Sequence, residues 1–377
     1  MRILIVLTYY RPHVSGLTIY VERLAAALAE RGHTVTVLTS RHSPDLAPLE
    51  QRDGVTIVRA PVFARISKGV LTPLGWRAWR LARQHDVVSI HLPQLEGGLV
   101  ALIARARRRR AVLTYHCDLQ LPRGIVNRVA DQVTWAMNWI ACRTAHRVVA
   151  YTAEYAGHST ILRRFPTKVT VIPPPVVVGE PDPVGVAAHR QAWGAGPIIG
   201  SAARLATEKG VEHLVAAVPR VAQRHPSALV SFAGPYENIV GEAHYRAALQ
   251  PAIDRLGERW RFLGEIAPEL MADFFGALDV LVVSSVNSTE SFGLVQVEAM
   301  LCGTPVVATD LPGVRQPIAM TGMGVVVPAG DAEALAAGIV EVLDHRERYV
   351  RPRAEIAALF DLDRTVDAYE HLFAGGR

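Results

Sequence analysis

Val280-Leu-Val-Val283 runs into Ser284-Ser-Val-Asn287-Ser-Thr-Glu290-Ser-Phe-Gly293, then into Leu294-Val-Gln-Val-Glu298-Ala-Met-Leu301, Cys302-Gly303 and Thr304-Pro305-Val306-Val-Ala308. Four consecutive apolar residues read as a buried strand, the Ser/Asn/Thr run as a polar loop, and the stretch through Glu298 as a helix stopped at Gly303. Pro305–Ala308 then reads as the next strand. Strand, helix, strand in that order is the parallel βαβ unit, whose handedness leaves few topologies open. Glu290 lies in the polar loop, and Glu298 lies about two turns into the helix. Val295, Val297, Ala299, Met300 and Leu301 surround Glu298, and a carboxylate in such company is rarely buried without a partner. Backbone N–H groups at a helix start favour anionic oxygens. Carboxylates accept paired hydrogen bonds from sugar hydroxyls. The stretch therefore suits a polyol attached to a phosphate.

The same alternation extends both ways. Towards the N-terminus, apolar runs at Arg2–Leu7, Thr34–Leu38, Val55–Val58, Val87–Ile90, Val112–Tyr115, Val148–Tyr151 and Val169–Ile172 are separated by helical stretches such as Leu17–Arg31 and Ile125–Cys142. Pro173-Pro-Pro175 to Pro181-Asp-Pro183 breaks the pattern and reads as a linker. A second set of strands follows at Pro197–Ala202, Ala228–Ala233, Arg261–Leu263, Val280–Val283 and Val325–Val327. Strands alternating with helices on both sides of a linker imply two doubly wound α/β domains, with ligands at the carboxyl edges of their sheets. The expected domains are 1–176 and 177–359, with a last helix over 360–377. A chain of 377 residues is long enough for two such cores.

Charge divides at the same place. Residues 1–176 hold 24 Lys and Arg against 10 Asp and Glu, a balance of +14, while the whole chain carries +5, so the remainder is acidic at −9. A basic first half points to a polyanionic partner: a nucleic acid, an anionic membrane or a lipid phosphate. Three separated cysteines, Cys117, Cys142 and Cys302, argue for a reducing compartment and against a Cys-based zinc site. No stretch has the length and apolarity of a membrane span, and Met1-Arg-Ile-Leu-Ile-Val-Leu7 reads as a strand and not as a signal peptide. The expected location is cytoplasmic, with peripheral contact to the cytoplasmic membrane face. Aromatic and cationic residues mix in Arg65-Ile-Ser-Lys68, in Trp76-Arg77-Ala-Trp79-Arg80 to Arg83, in Arg105 to Arg110, and from Arg123 through Arg128, Trp135, Trp139 and Arg143 to Arg147. Such mixtures suit a headgroup interface.

Several residues join the two glutamates as site candidates. Arg204 and Lys209, in Arg204-Leu-Ala-Thr-Glu-Lys209-Gly210, follow the first strand of the second half, where a guanidinium fork and an ammonium would neutralise a diphosphate. Ser15-Gly16 opens the first helix, where a small residue and a glycine let backbone N–H groups approach an anion. His116 and Asp118 end a strand in Thr114-Tyr-His116-Cys-Asp118. Gly234-Pro235 and Gly264-Glu-Ile266 close two further strands. Neither half carries the G-x-G-x-x-G plus acidic-residue fingerprint or a G-x-x-x-x-G-K-[ST] loop, which disfavours a dehydrogenase and a P-loop enzyme. Asp361-Leu-Asp363 opens the last helix and reads as a helix-start acid pair, not a metal site.

Glu290-Ser-Phe-Gly-Leu through Glu298, continued by Ala-Met-Leu-Cys-Gly-Thr-Pro-Val-Val-Ala-Thr, resembles the E-x7-E signature of the retaining GT-B glycosyltransferases called family 4 or group 1. The similarity runs over nearly the whole chain and is strongest from 197 to 330. It implies two Rossmann-like domains facing across a cleft, the first binding acceptor and the second nucleotide sugar, with the last helix returning to the first domain. It also implies that Glu290 holds donor-sugar hydroxyls, Glu298 the ribose, and the backbone of Phe292, Gly293 and Leu294 the sugar and diphosphate. Arg204 and Lys209 match its R-x4-K-G element and would bind the diphosphate. His116 would lie beside the donor sugar, with Asp118 and Ser15 towards the acceptor and Gly16 towards the donor. The family shows two glycines at the first turn, and Ser15 stands at the first of them.

The resemblance implies net retention at the anomeric carbon, transfer without a metal or other cofactor, and a GDP- or UDP-linked hexose donor: mannose, glucose or galactose. The basic first half favours a lipid-linked or glycan acceptor at an anionic membrane. Two other readings fit parts of the chain. A GT-B sugar-nucleotide epimerase shares the fold but not the Glu290/Glu298 element, and a non-catalytic nucleotide-sugar-binding protein fits less well while Arg204, Lys209, Glu290 and Glu298 are all intact. Nucleic-acid binding fits only the basic half and is not expected.

Overall fold

The computed structural model describes residues 1–66, 69–120, 124–239 and 241–376. The chain divides into one unit of Met1–Pro175 with Asp361–Arg377, and a second of Val176–Phe360.

The first unit is built on an eight-stranded sheet. Its strands are β1 (Arg2–Val6), β2 (Thr34–Arg41), β3 (Leu49–Arg52), β4 (Val55–Pro61), β7 (Val87–Leu92), β8 (Arg110–Tyr115), β9 (Arg147–Ala150) and β10 (Val169–Val171), while β5 (Ala64–Ile66) and β6 (Gly69–Leu71) form a separate hairpin. The sheet order is β10-β9-β8-β7-β1-β2-β4-β3, and every pair is parallel except β3 with β4. Strand β3 and the β5–β6 hairpin have no counterpart in the sequence reading, because Leu49-Glu-Gln-Arg52 is exposed and carries no apolar run. Leu4, Val6, Ile90, Leu113 and Val148 pack beneath Leu74, Ala78, Val100, Ala101 and Ala104. Each fully buried branched side chain contributes roughly 1.5–3 kcal/mol. The chain proceeds outward from β1 to β2 and β4, then returns to lay β7 on the other side of β1, which creates a topological switch point at β1/β7.

The helix Leu362–Ala374 belongs to this unit. Asp361 caps it by accepting from the Arg364 N–H, and Asp363 pairs with Arg31 at 2.8 Å. Tyr369 is buried, its hydroxyl lying 2.7 Å from both Tyr20 Oη and Thr114 Oγ1. Three buried hydroxyls thus satisfy one another, which removes the desolvation penalty that a lone one would impose. Arg31 also reaches Asp367 and Glu370, so one guanidinium gathers three carboxylates of this helix.

The second unit holds a six-stranded, all-parallel sheet in the order β13-β12-β11-β14-β15-β16. These are β11 (Ile198–Ala202), β12 (Leu229–Ala233), β13 (Trp260–Gly264), β14 (Val280–Val283), β15 (Val306–Thr309) and β16 (Gly324–Val327). Ile199, Val230, Phe232, Val280 and Val307 pack against Leu214, Val218, Val221, Leu335 and Ile339. Its switch point lies at β11/β14, the two strands that precede the Arg204–Lys209 and Asn287–Glu290 loops.

Candidate active site

In the second unit, β11 and β14 are hydrogen-bonded neighbours, so the loops leaving their carboxyl ends start side by side. Three bonds join these loops. Ser284 Oγ donates to the Lys209 carbonyl at 2.9 Å, the Val286 N–H donates to the Glu208 carbonyl at 3.1 Å, and Lys209 Nζ donates to Glu290 Oε2 at 2.5 Å. Gly210 makes the approach possible. At φ +58° it occupies the left-handed region, and a Cβ there would strike the Ser284 carbonyl oxygen. The Thr289 N–H donates to Asn287 Oδ1 at 3.0 Å and shapes the turn that presents Glu290.

Arg204 is exposed and pairs with Glu208 at 2.6 Å. An exposed pair of this kind contributes only about 0.2–1 kcal/mol, so the guanidinium exchanges Glu208 for a phosphate at little cost. Lys209 and Glu290 are more enclosed and hold each other more firmly. Each cation of the loop therefore rests on a carboxylate before any anion arrives.

The loop is braced from behind by a residue that sequence reasoning missed. Glu242 is 2% exposed, and its Oε2 accepts from the Thr207 N–H at 3.1 Å and from Thr207 Oγ1 at 2.7 Å. An isolated acid before a helix looks the same in sequence whether it is solvated or buried, so no signal marked it. Gly234 adds a second support. At φ +124° it packs directly on Ala203, where a Cβ would meet the Ala203 carbonyl oxygen, and the next residue, Pro235, accepts from the Leu205 N–H at 2.9 Å. Glu242→Leu leaves both Thr207 donors without their acceptor, at a cost of about 1–3 kcal/mol in loop order. Titration calorimetry with nucleoside diphosphate is expected to give about tenfold weaker binding for this variant, and Glu242→Gln, which keeps an acceptor oxygen, to recover most of it.

Glu298 is half-buried on the helix Leu294–Leu301, four residues before Cys302, whose thiol is pushed up to about 12 mainly by burial and further by the Glu298 charge. Phe292 points into the core, its ring 5.8 Å from that of Phe360. What remains of Phe292, Gly293 and Leu294 for a ligand is their backbone at the helix entry, where no side chain caps the N-terminus.

In the first unit, Ser15 is the N-cap of helix Gly16–Glu30. Its Oγ accepts from the Thr18 N–H at 3.2 Å and lies 2.8 Å from Thr18 Oγ1, so this side chain is engaged in the cap. Asp118 is buried and its carboxylate is committed as well: Oδ1 accepts from Tyr115 Oη at 2.6 Å and Ser159 Oγ at 2.8 Å, and Oδ2 from the Thr160 N–H at 3.0 Å. It ties the end of β8 to the 159–160 turn. His116, 4% exposed, uses both ring nitrogens, Nε2 at 2.9 Å from His91 Nδ1 and Nδ1 against Tyr151 Oη. Burial holds His116 well below the usual imidazole range, with the adjacent His91 acting in the same direction. Neither His91 nor Tyr151 was visible as a partner, since both lie on other strands or strand ends.

Of the Trp and Arg stretches, Trp76, Trp79 and Trp135 are exposed, whereas Trp139 is partly buried with its ring 6.0 Å from that of Phe165. Trp76 is 63% exposed with Arg80 5.2 Å from its ring, Arg107 lies 3.5 Å over Trp79, and Arg164 lies 5.0 Å from Trp135. Ile125, Val129 and Val133 are exposed at four-residue spacing along helix Ile125–Thr144. Lys68 and Arg123 lie outside the described residues. Among the described residues no helix is long and apolar enough to cross a membrane.

Two family models divide the chain between them: "Glycosyl transferase 4-like domain" matches residues 15–175 and "Glycosyl transferases group 1" matches 188–357. A D-inositol 3-phosphate glycosyltransferase of Geodermatophilus obscurus is 30% identical over 379 residues, covering 94% of this chain and 83% of that protein. The chain belongs to the group 1 glycosyltransferases. This group 1 glycosyltransferase is also 29% identical to the 2-deoxystreptamine N-acetyl-D-glucosaminyltransferase of Streptomyces fradiae, over 95% of its own length and 90% of the relative's. Among solved structures it is similar to Anabaena HepE in complex with UDP and glucose, with a TM-score of 0.81, 22% identity and 99% of each chain covered. That likeness shows a GT-B fold for the glycosyltransferase.

Proposed function

We propose that this glycosyltransferase moves a hexose from a UDP- or GDP-linked donor to an acceptor hydroxyl, with retention at the anomeric carbon and without a metal. The observation that carries the reading is the Lys209–Glu290 pair, held at 2.5 Å beside Arg204 at the β11/β14 switch point. In this reading Arg204 and Lys209 take the diphosphate. As the bond to the anomeric carbon breaks, negative charge builds on the distal phosphate, so both cations stabilise the transition state more than the ground state. Glu290 accepts hydrogen bonds from sugar hydroxyls and Glu298 from the ribose. The Phe292-Gly293-Leu294 backbone lies along the diphosphate, and Gly16 offers its backbone to an anionic group.

His116, assigned to the donor sugar by the family resemblance, is a neutral imidazole at the end of β8. Ser15 and Asp118 act through the loops they tie together on the acceptor side. In this reading the acceptor attacks from the face the nucleotide leaves, and a phosphate oxygen takes its proton. The exposed Trp76, Trp79 and Trp135 with their neighbouring arginines support peripheral contact with an anionic membrane, and with it a lipid-linked or envelope-glycan acceptor.

The test is turnover against UDP-, GDP- and ADP-hexoses in chelator, with nucleotide release and product followed by mass spectrometry. One donor class is expected to turn over with the α-configured anomeric centre kept. Tight donor binding without turnover on any acceptor would favour the non-catalytic reading.

A further inference from the structure

Gln296 stands on the helix Leu294–Leu301, in the second unit, and its side chain is wholly buried. Its Nε2 donates twice, to the Phe292 carbonyl and to the Val314 carbonyl, each at 2.9 Å. Both neighbours are acceptors, so the amide nitrogen must face them. That leaves Oε1 turned away, buried and without a hydrogen-bond partner. An unpaired buried acceptor is a cost that a methionine or leucine at 296 would not incur. What offsets it is the backbone that the two donors hold in place.

That backbone is the peptide through which the chain enters the helix. The Phe292–Gly293 peptide is trans and planar, so its carbonyl and its N–H point in opposite directions. With the carbonyl drawn to Gln296, the Gly293 N–H faces the other way. Among the described residues neither this N–H nor that of Leu294 has a protein acceptor. Gly293 lies at φ +77°. Glycine accepts either sign of φ, so residue 293 by itself would let the peptide turn over and exchange its N–H for a carbonyl oxygen. Gln296 removes that freedom, and Gly293 makes room for it, since a Cβ at 293 would lie 2.7 Å from Nε2. The other anchor is firm: Val314 is fully buried in the turn after β15, where the Gln316 N–H donates to the Gly313 carbonyl at 3.1 Å. Thr309, the last residue of β15, donates through Oγ1 to the Ser285 carbonyl at 2.6 Å. The Glu290 loop is thus tied at both ends to the segment that ends β15.

We infer that Gln296 is a positioning residue for the donor: it locks the Phe292–Gly293 peptide so that the Gly293 N–H faces the phosphate that bears the sugar. The inference rests on the donor reading, in which this backbone lies along the diphosphate between Glu290 at the sugar and Glu298 at the ribose. Gly293 is nearer in sequence to Glu290 than to Glu298, which puts it on the sugar-bearing phosphate. A donor fixed before the ligand arrives meets the negative charge without reorganisation. The overturned peptide would set a carbonyl oxygen against a phosphate oxygen. Gln296 itself touches no substrate.

The ratio of nucleoside diphosphate to monophosphate affinity reads this contact, because the two ligands share base, ribose and first phosphate. It is measured by calorimetry on the intact protein with UDP and UMP, and with GDP and GMP. The proteins are wild type, Gln296→Met and Gln296→Glu, each with its thermal midpoint. Met matches the length of Gln and donates nothing. Glu in so enclosed a position is held as the neutral acid, which donates once. For the base that binds, the ratio is expected to fall about tenfold in Gln296→Met and about threefold in Gln296→Glu. Monophosphate affinity should stay within about twofold of wild type in both, whereas a loosened domain would weaken the two ligands alike. Equal losses on both ligands, or an unchanged ratio in Gln296→Met, overturns the inference; should that variant fail to fold, the ratio in Gln296→Glu decides on the same terms. A wild type that binds diphosphates no more tightly than monophosphates overturns the donor reading, and the inference with it, before any variant is compared.

Discussion

Glu290→Gln is expected to lower kcat/KM for the donor by at least about a hundredfold, equivalent to roughly 2.7 kcal/mol of transition-state stabilisation. The thermal midpoint should stay within about 2 °C. The two expectations separate because the carboxylate has two duties of unequal weight. In the resting protein it neutralises Lys209 in a pair that is only partly enclosed. Gln keeps the shape and an acceptor oxygen, so that loss stays small. During transfer the demand differs. Under the proposed donor assignment the carboxylate accepts two hydroxyl hydrogen bonds at once and fixes the ammonium that meets charge developing on the leaving phosphate. An amide accepts with one oxygen and turns its N–H2 towards Lys209 and its three donors. Lys209→Met should show a loss of similar size from the other side of the pair. Steady-state kinetics on the productive donor, with differential scanning fluorimetry alongside, check both. A variant with near wild-type kcat/KM would remove Glu290 from the donor site.

The second large effect is on stability in acid. His91 is fully buried, and burial pushes its imidazole down to about 3; His116, bonded to it at 2.9 Å, is moved in the same direction. In the unfolded chain both titrate near about 6.5. A folded-state value below the unfolded one means that the unfolded chain binds protons first as pH falls. The contribution is therefore complete above about pH 6.5 and is lost progressively below it, until the folded His91 itself protonates near 3. At pH 5 the His91 gap corresponds to about 2 kcal/mol, at 1.36 kcal/mol per pH unit. The exposed Arg2–Asp86 pair does not obscure the window, since Asp86, held by Arg2 down to about 2, begins to lose its contribution only near its ordinary range. His85 and His146 are also lowered by burial, so the wild-type loss is larger than the His91 share. His91→Gln isolates that share. Its amide still reaches Ser89 and His116, and the difference between pH 7 and pH 5 in urea unfolding should shrink by about 2 kcal/mol. An unchanged difference would place the acid sensitivity elsewhere.

What was legible from the chain is what depends on local pattern. Val280-Leu-Val-Val283, the polar run to Gly293 and the apolar helix after it identify strand, turn and helix because side-chain period and turn chemistry act within a few residues. The alternation of such units is enough to determine two sheets that are parallel apart from the edge strand β3, and the break at Pro173–Pro183 falls where the first unit gives way to the second. The placement of Arg204, Lys209 and Glu290 in loops that follow strands was legible for the same local reason.

Tertiary structure decided which of those groups meet, and which are already occupied. Lys209 and Glu290 are 81 residues apart and join because β11 and β14 became neighbours when the chain crossed back over its own sheet. Glu242 and Thr207, His91 and His116, and Tyr20 and Tyr369 likewise belong to different elements. Ser15 and Asp118 look available in the sequence, yet folding commits their oxygens to a helix cap and a turn. Strand β3 and the β5–β6 hairpin were illegible for the converse reason: their backbone pairing is satisfied by a partner strand and needs no apolar pattern of their own. A hydrogen bond has no sequence signature when its donor and acceptor are brought together by the packing of other residues.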